Sequence, residues 1–214
     1  MNTLFLGSIG TLAETSALQL EAFNSAFAQT GLDWHWSVDD YREMLVSAGG
    51  ADRIAAYAQS QKASVDAIAV HALKSELYKE LLQSRPIELR PGVANAIAHV
   101  KSLGGKLALV TSTSHENVAT LLSVLKIPES TFDVIVHKHL IEVGKPDPEA
   151  YFYALKALRL TADSVVSVED NPDGAKAAVL SGTRCIATPG SFHDAANFGN
   201  VAEFQTTLDV TRYI

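Results

Sequence analysis

The chain has 214 residues, enough to bury a full core as one domain or as a core carrying an insert. Its 47% hydrophobic and 19% charged residues are ordinary for a soluble globular protein, and a net charge of −7 argues against a nucleic-acid or anionic-membrane surface. A single cysteine, Cys185, excludes an internal disulfide and reads as a small buried hydrophobe on a strand. No apolar run reaches the ~20 residues of a membrane span, and the N-terminus lacks a basic-then-apolar signal pattern, so the expectation is a cytoplasmic protein.

In chain order, Thr3-Leu4-Phe5-Leu6 is an apolar run that breaks into the turn Gly7-Ser8-Ile9-Gly10-Thr11-Leu12. A buried strand ending in a turn that opens a helix is where α/β proteins place their chemistry. Residues 16–30 read as an amphipathic helix, with Phe23 and Phe27 on one face. Trp34 and Trp36 then read as wedges for the next helix, which Ser37 caps. Gly49-Gly50 breaks that helix, residues 51–59 resume it, and Ser64 is the expected cap of a longer one. Nothing between residues 14 and 85 reads as a strand.

Arg85-Pro86 and Arg90-Pro91-Gly92 punctuate the chain and return it to alternating units. Helices over 93–103, 116–125, 149–158 and 174–181 alternate with strands over 106–110, 132–136, 164–168 and 183–187. That alternation implies βαβ units and a doubly wound parallel sheet, interrupted after its first strand by a helical block. Residues 201–214 read as a short edge strand or a docked tail.

Three strand ends carry chemistry. Thr111-Ser112-Thr113-Ser114 offers hydroxyls beside helix N-terminal amides, which suit a phosphate oxygen and equally suit simple capping. Lys145, between Gly144 and Pro146, presents an ammonium that would offset phosphate charge. Glu169-Asp170 places adjacent carboxylates at the end of an apolar strand, where a cation or a lysine is the natural partner. Two other patterns are weaker. Gly7-x-x-Gly10 as a nucleotide-binding turn lacks the full Gly-x-Gly-x-x-Gly spacing. His137 and His139, two apart in a segment read as extended, face opposite sides and suit a solvated loop better than a metal site.

Gly10-Thr11-Leu12-x-Glu14-Thr15 resembles the first motif of the haloacid dehalogenase superfamily, Asp-x-Asp-Gly-Thr-Leu-x-Asp/Glu-Thr/Ser. Thr111, Lys145 and Glu169-Asp170 match its second, third and fourth motifs in order, so the likeness covers nearly the whole chain. The resemblance implies a core of residues 1–13 and 90–214 and a helical C1 cap of residues 14–89. The cap is similar to that of the CbbY-type branch, phosphatases of pentulose 1,5-bisphosphates and relatives of β-phosphoglucomutase. Ala13-Glu14-Thr15, Ala22-Phe23-Asn24, Leu32-Asp33-Trp34, the run Tyr41-Arg42-Glu43-Met44-Leu45, Gly49-Gly50 with Arg53-Ile54, and Leu89-Arg90-Pro91-Gly92 carry that likeness. It implies Thr111, Ser112 and Lys145 as phosphate ligands, Glu14, Gly49, Gly50 and Arg53 as substrate ligands, and Glu169 and Asp170 as ligands of Mg²⁺.

The departure lies in the first motif. The family's nucleophilic aspartate falls on Gly7 and its acid–base aspartate on Ile9, and neither residue can do that work. Ser8, between them, is expected to point away from the pocket. The resulting expectation is a pseudoenzyme that binds a sugar phosphate or a protein partner. The alternative is an Mg²⁺-dependent phosphoric monoester hydrolase with a non-standard nucleophile. Mg²⁺ binding is expected to be weakened, and Lys145 is expected to pair with Asp170.

Overall fold

A computed structural model describes residues 2–45 and 49–214. The chain forms two compact units, Thr15–Pro86 and the pair of segments Met1–Glu14 and Ile87–Ile214.

The first unit is helical: α1 (Ser16–Gln29), α2 (Val38–Met44), α3 (Gly50–Ser60) and α4 (Ala67–Ser84). Spacings of three and four along α1 bring Leu20, Phe23 and Phe27 to its buried face. That face receives Trp36, whose ring centroid lies 4.9 Å from Phe23, 4.6 Å from Phe27 and 5.4 Å from Tyr57. Trp36 also stacks on Tyr41 of α2, which is the wedge the sequence suggests. Asn24 fixes the incoming strand of backbone: its Nδ2 donates to the Trp36 carbonyl and its Oδ1 accepts from the Trp36 amide, each at 2.9 Å. One side-chain amide thus substitutes for a ladder neighbour and satisfies a buried peptide group.

Ser37 caps α2 in a reciprocal box with Asp40. The cap of α4 differs from expectation. Asp66, not Ser64, accepts from the amides of Ile68 and Ala69, because its carboxylate sits directly at the first turn and Ser64 lies outside it.

The second unit is a sheet of six parallel strands in the order β3-β2-β1-β4-β5-β6. The strands are β1 (Thr3–Leu6), β2 (Lys106–Val110), β3 (Val134–Val136), β4 (Val165–Glu169), β5 (Arg184–Ala187) and β6 (Glu203–Phe204). The connecting helices are α5 (Val93–Ser102), α6 (His115–Val124), α7 (Glu149–Leu158) and α8 (Pro172–Leu180). Side chains of α7 and α8, among them Tyr151, Ala154, Ala175 and Ala178, close one apolar cluster with Phe5, Val110 and Cys185 of the strands. Small residues let the helices approach the sheet closely.

β3 is shorter than the sequence suggests. Asp133 turns its carboxylate back to the Leu107 amide and to Lys106 and leaves the ladder to Val134. After residue 201 the chain supplies both forms expected of it: β6 pairs with β5, and the tail then docks through the Leu208 amide on the Pro91 carbonyl at 2.9 Å. No helix of the described residues is long and apolar enough to cross a membrane.

Phe27 touches Trp34 and Trp36, the only tryptophans in the chain. Phe27→Ala is expected to cost the helical unit about 3–5 kcal/mol. Tryptophan fluorescence, which reports this unit alone, should show its urea midpoint falling; an unchanged midpoint would contradict the packing described.

Candidate phosphate site at the carboxyl ends of the strands

The chain order reverses at β1, between β2 and β4, so the crevice beyond their carboxyl ends is the expected site of such a sheet. The register brings the motif residues to one level. Leu6 pairs with Leu109 on one side and Val168 on the other, so Gly7, Val110 and Glu169 lie at one level. The Gly7 amide still bonds the Val168 carbonyl at 3.0 Å.

Glu169 is 1% exposed and forms an ion pair with Lys145. The Tyr151 hydroxyl donates to the same carboxylate oxygen, Oε1. The Lys145 ammonium also donates to the Val110 carbonyl at 2.8 Å, and its amide donates to Ser112 Oγ at 2.9 Å. Burial, followed by the charge of Glu169, drives the Tyr151 phenol well above its ordinary range, so it remains a donor.

Lys145 therefore pairs with Glu169, contrary to the expected pairing with Asp170. Consecutive residues at a strand end point to opposite sides, and only Glu169 points toward Lys145 and Tyr151. Asp170 turns the other way. Its Oδ1 accepts from Thr11 Oγ1 at 2.9 Å and from Asn171 Nδ2 at 3.3 Å.

Each carboxylate is lodged against two glycines. A Cβ on Gly174 would lie 2.1 Å from Glu169 Oε2, and one on Gly7 would lie 2.8 Å from the same oxygen. A Cβ on Gly10 would lie 2.0 Å from Asp170 Oδ2, and one on Gly190 would lie 3.6 Å away. Gly10 also has φ +86°, so it is doubly constrained. At position 7 the space beside the backbone is taken by Thr11 Oγ1, 2.4 Å from a built Cβ, and by Glu169.

Thr111 and Ser112 follow β2 directly. Thr111 Oγ1 accepts from the Thr113 amide at 3.2 Å, and Ser114, one turn on, caps α6. Ser8 is 3% exposed, and its hydroxyl has no hydrogen-bond partner among the described residues. The structure thus gathers Gly7, Thr11, Ser112, Lys145, Glu169 and Asp170 around one strand-end level. Glu14 belongs to the same unit, where its carboxylate accepts from the Ser191 amide at 2.7 Å.

Gly49, Gly50 and Arg53 belong to the helical unit. Gly49 has φ +94°, and a Cβ on Gly50 would meet the His71 ring at 2.4 Å. Arg53 is 8% exposed rather than solvated; its Nε donates to the Met44 carbonyl at 2.9 Å and its guanidinium lies over Tyr41.

Several residues escape sequence reasoning. Arg90 donates to the carbonyls of Gly10, Thr188 and Pro189, tying the first loop to the loop after β5. Tyr151 lies in the first turn of α7 with no motif signal. Lys74 is buried in the helical unit over the rings of Phe23 and Tyr78 and bonds the Gln19 amide oxygen. Burial, and then the charge of Arg53, lowers the Lys74 ammonium to about 7. The only advance signal was a lysine on an otherwise apolar helix face.

His137 and His139 also differ from expectation. Residues Lys138–Leu140 form a 3₁₀ turn, which brings the His137 ring within 5.7 Å of His139 and 5.1 Å of His115. Among the described residues no group of three histidine, cysteine or acidic side chains is arranged to hold a metal ion.

A profile described as haloacid dehalogenase-like hydrolase matches residues 10–188. The chain is 39% identical to Protein CbbY of Cereibacter sphaeroides, over 86% of this chain and 82% of that protein. It is 34% identical to the plasmid-encoded Protein CbbY of Cupriavidus necator, over 92% and 82%. Among solved structures, a mutant CbbY from Rhodobacter sphaeroides in complex with xylulose-(1,5)bisphosphate superposes with a TM-score of 0.90 at 35% identity, covering 97% of this chain and 94% of that one. A putative beta-phosphoglucomutase from Thermotoga maritima gives 0.73 at 26% identity, covering 96% and 94%.

Burial, and then the charge of Glu169, pushes the Asp170 carboxyl up to about 7, with the Thr11 hydrogen bond pulling the other way. The folded chain therefore holds this proton more tightly than the unfolded chain, where the ordinary value is 3.8. The stability from this group is whole below about pH 4 and is lost as pH rises through about 7. Relative to wild type, Asp170→Asn should gain about 1–3 kcal/mol in urea unfolding between about pH 5 and about pH 8. A difference that does not change with pH would overturn this.

Proposed function

Because the chain belongs to the haloacid dehalogenase-like hydrolases, we propose that it is a member that binds a small phosphorylated sugar and has given up covalent phosphoryl transfer. The observation that carries this reading is position 7. The family's covalent mechanism needs a carboxylate there to attack phosphorus, and Gly7 has no side chain, while Thr11 Oγ1 and Glu169 Oε2 occupy the adjoining space. Ile9 cannot move a proton in place of the acid–base aspartate.

No neighbour takes over. The Thr11 hydroxyl is committed to Asp170, and Glu169 is held by Lys145 and Tyr151. The Ser8 hydroxyl has no partner to receive its proton. Loss of an essential nucleophile costs on the order of 10⁴–10⁶ in rate.

What remains suits binding. The hydroxyls of Thr111 and Ser112, the start of α6 and the Lys145 ammonium are the groups that hold phosphate oxygens. The sugar part of the reading is supported by the CbbY relatives, one of which is solved with xylulose-(1,5)bisphosphate and again with phosphate.

The test is phosphate release from sugar mono- and bisphosphates in Mg²⁺, comparing wild type with the double variant Gly7→Asp, Ile9→Asp. Wild type should stay at background, and the double variant should exceed it by about 10³-fold or more. Wild-type turnover that Asp170→Ala abolishes would overturn the reading, and Ser8→Ala would then identify or exclude Ser8 as the nucleophile.

A further inference from the structure

Given that this pocket is a phosphate site, we propose that it takes phosphate without a divalent cation, the cation's place being closed by this chain's own ion pair and hydrogen bonds. Mg²⁺ sheds water reluctantly and is held by one or two carboxylates together with substrate phosphate. The carboxylates available here are Glu169 and Asp170, and each has one oxygen committed.

Glu169 Oε1 receives the Lys145 ammonium and the Tyr151 hydroxyl. Its Oε2 is walled by the backbone at Gly7 and Gly174, where a built Cβ would sit 2.8 Å and 2.1 Å away. Asp170 Oδ1 receives Thr11 and Asn171, and its Oδ2 rests against Gly10. Gly7 and Ile9 add no side-chain donor. With one oxygen of each held by this chain's own donors and no carboxylate at positions 7 and 9, the residues present fit a hard cation poorly.

The same changes remove the need for one. A carboxylate close to a phosphate oxygen repels it, the more strongly in a pocket partly shielded from water. In a family site that repulsion is what the cation offsets. Here position 7 carries no charge, and the Glu169 charge is matched by Lys145. A phosphate dianion then meets hydroxyls, amides and the edge of an ammonium, and needs no metal to bridge it to a carboxylate.

Calorimetric titration with inorganic phosphate and with xylulose 1,5-bisphosphate, each in EDTA and in millimolar Mg²⁺, tests this. The expected result is affinity that agrees within about twofold between the two conditions. Gly7→Asp, which returns one carboxylate, should weaken phosphate binding in EDTA and recover it with Mg²⁺. Wild-type affinity that appears only with Mg²⁺, or rises more than about tenfold with it, overturns the inference and leaves the phosphate-binding reading standing. Absence of binding in both conditions overturns that reading and the inference with it. If Gly7→Asp does not fold, the wild-type arms alone decide.

Discussion

The buried carboxylate of Glu169 is the constraint around which the α/β unit is arranged. A carboxylate 1% exposed needs a matched charge and hydrogen bonds, and its Oε1 receives both from Lys145 and Tyr151. Those partners come from different parts of the chain: Lys145 from the turn before α7 and Tyr151 from the first turns of α7 itself. The ion pair therefore pins α7 to β4 as well as neutralising a charge. Removing Lys145 would leave an unmatched buried charge, a loss of about 3–5 kcal/mol in comparable sites.

That constraint extends to the glycines. Gly7 and Gly174 leave the room that Glu169 Oε2 occupies, and Gly10 leaves the room for Asp170 Oδ2. In the family motif, position 7 would carry the nucleophile; the glycine there supplies no carboxylate and leaves the space beside Glu169 Oε2 open to that side chain. An aspartate at this position must displace the Thr11 hydroxyl and the end of Glu169, both of them side-chain atoms rather than backbone. Side-chain movement can therefore make room at position 7, which makes restoring the carboxylate there an informative change.

Much of this was legible in the sequence, and for identifiable reasons. Parallel strands covered on both faces must be continuously apolar, so Leu107-Ala108-Leu109-Val110 and Val165-Val166-Ser167-Val168 declare themselves, and the helices between them follow by period. The order of strand-end motifs carried the site. What could not be read were choices made in three dimensions. Whether Lys145 meets Glu169 or Asp170 depends on which way each leaves β4. Asp66 replaces Ser64 as a cap through a shift of two residues, and His137 and His139 share a side because their segment turns instead of extending. Arg90 is the extreme case: its three acceptors are carbonyls of Gly10, Thr188 and Pro189, and a carbonyl has no sequence signature.

The groups this chain carries at its strand ends and the two aspartates it lacks answer to different physics. Hydroxyls at the start of α6, the Lys145 turn and the glycine nests are also structural, since Ser112 receives the Lys145 amide, Ser114 caps α6 and Glu169 needs its lysine. Losing them would cost the fold. An aspartate nucleophile has the opposite character: an extra carboxylate beside Glu169 and Asp170 is a burden on the folded state that only catalysis justifies. Gly7 and Ile9 lack that burden, while Ser112, Ser114 and Lys145 are held by contacts that the fold itself requires. Groups of these two kinds can therefore separate, because the hydroxyls and the lysine are kept by folding whatever the site does.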